Sequence, residues 1–110
     1  MKKYYPLFLI FSAGAGYALE TASGKVNSLS YATESSGYED ALTLVGVDAL
    51  SDCGVSGGLV KFRFKRDEDY GRGFSLAHAA YVSDKEVEVK VNTSDKNLQG
   101  QCYIKIITIK

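Results

Sequence analysis

The sequence predicts a mainly-β domain with one short helix, in the order β-β-β-α-β-β. Three observations carry this. Four segments alternate apolar and polar residues with the period of two that a half-buried strand requires. One segment, from Phe74, changes to an i, i+3, i+4 spacing. Glycine-rich or polar tracts separate them, which is where a chain turns.

The first strand spans 25–32, with Val26, Ser28 and Ser30 on one face and Asn27, Leu29 and Tyr31 on the other. A polar loop, 33–40, follows. Strand two, 41–49, is apolar and β-branched (Leu42, Thr43, Leu44, Val45, Val47), and Gly46 within it suggests a bulge or a close backbone contact. Residues 51–58 carry Cys53 and three glycines and read as a turn. Strand three, 59–65, has the cleanest alternation: Val60, Phe62 and Phe64 face the core, and Lys61, Arg63 and Lys65 face water. A charged loop, 66–73, leads to a helix capped by Ser75, with Ala77, Ala80 and Tyr81 on one face, ending by Ser83-Asp84-Lys85. Val87, Val89 and Val91 alternate with Glu86, Glu88 and Lys90 in strand four. Strand five, 102–109, alternates until Ile106-Ile107, where a slip of phase suggests a bulge or an end buried on both faces. Five short strands beside one helix cannot all bury an apolar face in an open sheet. Closing them into an OB-like five-stranded barrel, the helix between strands three and four, meets both the burial and the edge requirement.

Residues 1–18 read as a signal peptide and 19–110 as the single OB-like domain. Lys2 and Lys3 precede an apolar run from Tyr4 to Phe11, and small residues follow up to Ala18. Cleavage is expected after Ala18, with Ala15 the alternative. The apolar run is shorter than the roughly 20 residues a spanning helix needs, so no membrane span is expected in the mature form. The remaining chain balances 11 basic against 13 acidic residues. In an oxidising compartment, periplasmic or extracellular, the two cysteines Cys53 and Cys102 read as a disulfide.

Phe74-Ser75-Leu76-Ala77-His78-Ala79-Ala80-Tyr81-Val82-Ser83-Asp84-Lys85-Glu86-Val87-Glu88-Val89, a small-residue helix running into a valine strand, and Gln101-Cys102-Tyr103-Ile104 carry a family likeness. With the export signal and the element order, they resemble the small secreted bacterial OB-fold proteins that include the B subunits of subtilase-cytotoxin and pertussis-like AB5 toxins. That resemblance implies glycan binding by a homo-oligomer outside the bacterial cytoplasm.

The chemistry-bearing residues are sparse. His78 stands in the helix with no nucleophile and acid arranged around it, so no enzyme is expected. One His and two paired cysteines leave no transition-metal set, and Asp67-Glu68-Asp69 lacks the spacing of a calcium loop. Gly54-Val55-Ser56-Gly57-Gly58 lacks the Lys-Ser/Thr of a phosphate loop. No metal and no cofactor are therefore expected. Lys61, Arg63, Lys65 and Arg66 form a basic stripe, but Phe62 and Phe64 lie on its opposite face, so stacking aromatics are missing and no nucleic acid is expected. What remains is a binding surface. The candidate ligand-binding residues are Ser35, Ser36 and Tyr38 in the loop between strands one and two, with Tyr70 and Tyr103, because tyrosine offers contact area and a hydroxyl at small entropic cost. The expected partner is a glycan or, as the alternative, another envelope or secreted protein bound by a monomer.

Overall fold

The structure, a computed structural model, describes residues 19–66 and 70–110, with only the backbone of Tyr70. The signal-peptide expectation for 1–18 and the acidic triplet Asp67-Glu68-Asp69 lie outside the described residues. The elements are β1 (Glu20–Ser30), a single 3-10 turn (Glu34–Ser36), β2 (Ala41–Leu44), β3 (Val55–Ser56), β4 (Leu59–Val60), β5 (Phe62–Arg63), α1 (Tyr70–Val82), β6 (Glu86–Lys96) and β7 (Cys102–Ile109). The described residues are mainly β with one α-helix, as the periodicities predict.

Five strands form the main sheet, in the order β1-β2-β5-β7-β6. β1 serves two neighbours. Its first half pairs antiparallel with β6, from Glu20 opposite Val91 to Lys25 opposite Glu86. Its second half pairs with β2, from Val26 opposite Leu44 to Ser30 opposite Ala41. Asn27 is the extra residue at the changeover, and such a bulge bends and twists a strand where it must turn from one partner to the next. β2 continues into β5 (Leu42 opposite Phe62), and β5 meets β7 in the sheet's parallel pairing, Arg63 beside Tyr103. β6 and β7 run antiparallel from Val87 opposite Ile109 to Lys96 opposite Cys102, and Lys105 bulges out between Ile104 and Ile106. The sequence places the slip of phase at Ile106-Ile107; the bulge stands just before it, at Lys105, and Ile106 is exposed.

The alternating residues build the core. Leu42, Leu44, Val60, Phe62, Val87, Val89 and Val91 are fully buried, and Ala77 and Ala80 bring α1 against them. Valines dominate the inward face of β6 because β-branched side chains suit a pleated, packed surface. Phe64 meets Phe74 edge to face at 5.7 Å, which seats the first turns of the helix.

Several boundaries differ from the sequence reading. β1 starts at Glu20 and stops at Ser30, so Tyr31 and Ala32 belong to the loop. β2 stops at Leu44: Val45 is exposed, its N–H bonds Lys25 O at 2.8 Å, and Gly46 turns the chain at φ +80° instead of making a bulge within a strand. Residues 51–58 are more than a turn, because Val55 and Ser56 pair with Val60 and Leu59 across Gly57-Gly58, both at positive φ. The third strand is accordingly split at Lys61. Its first half serves this small hairpin, and its second half serves the main sheet. The helix begins at Tyr70, five residues before Ser75, and Tyr81 is exposed instead of sharing the buried face of Ala77 and Ala80.

The expected disulfide joins Cys53 to Cys102, with Cα atoms 5.3 Å apart and both residues buried. Around it the backbone is stitched by Gly54 N–H to Gly100 O at 2.9 Å and Lys61 N–H to Gly54 O at 3.2 Å. The bridge therefore ties the excursion after β2 to the turn that precedes β7.

Candidate functional site

Two segments face each other at one end of the sheet: the β1–β2 loop and the turn between β6 and β7. Each is fixed from within. In the turn, Asn97 Oδ1 accepts from the Gln99 and Gln101 amides at 3.0 and 2.9 Å, and Gly100, at φ +78°, donates its N–H to Asn97 O at 3.0 Å. In the loop, Ser36 Oγ donates to Thr33 O at 2.6 Å and accepts from Tyr38 N–H at 3.1 Å. Asp40 closes the loop: its buried Oδ1 accepts from Ala32 N–H at 2.8 Å, while Oδ2 has no partner among the described residues.

Two arginines hold this loop from beneath. Arg66 donates through Nη2 to Ala32 O at 2.7 Å and to Tyr38 O at 2.6 Å. Arg63 donates Nη1–H to Glu39 O at 2.7 Å and Nε–H to Gln101 Oε1 at 2.6 Å, so one guanidinium joins the two segments. Alternation in strand three places Arg63 in water. Instead it is buried, because these acceptors replace its hydration and a charge can be buried when it is so satisfied. The basic stripe is thereby dispersed: Arg63 and Arg66 serve backbone carbonyls, and Lys65 pairs with Asp95 at 3.2 Å.

Glu39 is the centre of the polar network. Its Oε2 accepts from the Tyr103 hydroxyl, and its Oε1 from Asn97 Nδ2 at 3.4 Å. Tyr103 is half-buried, with Lys65 Nζ 5.2 Å from its ring centroid. Burial, and then the bond to the Glu39 carboxylate, push the Tyr103 hydroxyl up to about 12. Burial alone would raise the nearby Asp95 carboxyl, but hydrogen bonds from Lys105 and Lys65 outweigh it and hold the group below its ordinary value.

Between the segments lies a cleft of about 330 Å³, with Glu34, Tyr38, Glu39 and Arg66 on the loop side and Asn97, Leu98, Gln99 and Tyr103 on the other. A second depression, of about 530 Å³, lies beyond Tyr38 and Glu39 and is bordered by Tyr31, Thr33, Ser36, Lys61 and Arg63. Of the residues singled out from sequence, Tyr38 lines both, Ser36 the second and Tyr103 the first. Ser35 is exposed on the 3-10 turn, bonded to Thr33 at 3.4 Å, and borders neither. Tyr70 opens α1 instead of standing in a loop, and its side chain lies outside the described residues. Tyr103 is half-buried and bonded to Glu39, not free on an exposed strand face. Sequence reasoning misses Glu34, Glu39, Arg66, Asn97 and Gln99. The Asn97-Leu98-Gln99-Gly100 turn chemistry is the one local pattern that points towards any of them.

The cleft presents amides, carboxylates, a guanidinium and tyrosines, which can bind a polar ligand. Among the described residues no three His, Cys, Asp or Glu side chains stand together as a metal site, and no helix is long and apolar enough to cross a membrane. His78 is exposed on α1. Comparison with protein-family models, with curated proteins and with solved structures finds no match.

Proposed function

We propose that residues 19–110 form an OB-like barrel that acts, outside the cytoplasm, as a non-catalytic glycan-binding module. The strand order β1-β2-β5-β7-β6, with β1 also pairing β6 and a parallel contact between β5 and β7, supports the barrel reading. The observation that carries the function is the cleft between the loop at 34–39 and the turn at 97–99. In an OB barrel these are the loops after the first and fourth strands, the pair such folds use for oligosaccharides and oligonucleotides. Its lining favours sugar over nucleic acid. Amide and carboxyl groups match the paired donors and acceptors of sugar hydroxyls, Tyr38 offers an apolar face, and the nearby cations are mostly engaged with protein acceptors. The disulfide and the N-terminal pattern of residues 1–18 support export to the periplasm or beyond.

A glycan-array screen of the 19–110 chain tests this reading: binding that Gln99→Ala weakens is expected, and no binding to any glycan overturns it. Exposed apolar side chains on α1 (Leu76, Tyr81 and Val82) favour a protein-contact surface as well. Gel filtration divides the two forms of that idea, since the toxin-like ring elutes as an oligomer and the monomeric envelope protein does not.

A further inference from the structure

The first cleft and the second depression share a wall, the ridge formed by Tyr38 and Glu39. We propose that together they form one groove for a linear oligosaccharide of at least three sugar units, which crosses the ridge at Tyr38. The inference rests on the glycan reading above and extends it to a ligand class and a second subsite.

Three features support it. Each depression is on the scale of a small-ligand site, roughly 300–1,000 Å³, at about 330 and 530 Å³. A single sugar placed in one leaves the other unused, whereas a chain fills both. The ridge is also preformed. Arg66 holds the carbonyls of Ala32 and Tyr38, Arg63 holds that of Glu39, and Gly37 makes the tight turn at φ +78°, so little ordering remains for a ligand to impose. Finally, the ligand-facing chemistry repeats on both sides. Tyr38 is 62% exposed and Tyr31, in the second depression, 67% exposed. Polar side chains accompany each ring, Gln99 and Glu34 on one side, Lys61 and Thr33 on the other. A β-1,4-linked chain matches this repeat, because successive pyranose rings are turned over and present flat C–H faces in alternation. Tyrosine meets such faces with its ring and the hydroxyls with its own hydroxyl.

The test is calorimetric titration of the 19–110 chain with cello- and chito-oligosaccharides of two, three and four units, against wild type, Gln99→Ala and Tyr31→Ala. Both substitutions are at exposed positions. For the series that binds, affinity is expected to rise at least tenfold from the disaccharide to the tetrasaccharide. Gln99→Ala should weaken every length alike. Tyr31→Ala should cost the tetrasaccharide about tenfold and leave the disaccharide within twofold. Affinity that is level from the disaccharide onward, with Tyr31→Ala silent, overturns the extended groove and leaves the glycan reading intact. Absence of binding by every length in both series overturns the extended β-1,4 groove, and the glycan reading falls with it only where the glycan array is silent as well.

Discussion

Replacing both cysteines with alanine should cost this chain about half of its stability. The bridge spans a sequence separation of 49 residues. On the chain-entropy account, opening a loop of that length frees the unfolded state by about 4 kcal/mol. The residues are 5% and 0% exposed, so removing their sulfur atoms also loses core packing, about 1 kcal/mol for each methylene-sized group. Domains of this size hold roughly 5–15 kcal/mol in all, and each kcal/mol moves the midpoint of a small domain by about 4–8 °C. Together these come to about 6 kcal/mol, so the double variant should melt about 25–45 °C lower. Urea denaturation of the oxidised chain and of the variant, followed by circular dichroism, measures the difference directly. Hydrogen exchange locates it: the amides of Gly54 and Lys61, whose bonds stitch the residues around the bridge, should open first, while the β1–β6 ladder keeps its protection. A variant within 1 kcal/mol of the parent would refute the reasoning, because the covalent tie would then constrain nothing that the unfolded chain explores.

Three further outcomes follow from the geometry. Arg63→Ala should destabilise by about 2–4 kcal/mol, since it strands buried acceptors on Gln101 and Glu39, and Arg63→Lys should rescue little because an ammonium lacks the forked donors; chemical denaturation of the three proteins decides this. Gly24→Ala should cost about 1–3 kcal/mol, because its Cβ would stand 2.9 Å from the backbone oxygen of Val45; thermal melts measure it. Tyr103 should ionise near pH 12 in a titration followed at 295 nm, and Tyr103→Phe should remove that late step. Its pKa is raised to about 12 in the folded state against about 10 unfolded, so its contribution is intact below pH 10 and lost as pH climbs from 10 through 12, and stability should fall over that window in wild type more than in Tyr103→Phe.

The divide between what the sequence discloses and what it hides follows the range of the interactions. The inward face of β6 is legible because Val87, Val89 and Val91 obey a two-residue period that any half-buried strand imposes. Cys53 and Cys102 are legible because oxidation leaves them one partner each. The small hairpin of β3 and β4 has a local signature too, since Gly57-Gly58 between Val55-Ser56 and Leu59-Val60 suits a two-residue turn with positive φ at both positions. Reading the glycines only as a loop misses it. The first turns of α1 carry the opposite of a helix signature, with Gly71 and Gly73 within them. There the tertiary contact prevails: the backbone at Gly73 runs beside the Phe64 ring, where even an added Cβ would make ordinary contact at 3.5 Å, and Phe74 packs edge to face on that ring.

Arg63 shows why the candidate site is the least legible part. In the sequence it is one charged residue in a perfect alternation, and the period alone assigns it to water. Its burial depends on Gln101, 38 positions later, and on a carbonyl 24 positions earlier, neither of which any local pattern associates with it. The same holds for Glu39, whose carboxylate receives Tyr103 from 64 residues away. These long-range bonds hold the two walls of the cleft at a fixed separation. A loop rich in serine and tyrosine announces that a surface is available for binding. Its shape is set by the arginines beneath it, so a substitution at Arg63, which is buried, should alter binding through the position of the Tyr38 ridge, and oligosaccharide titration of Arg63→Lys measures that change.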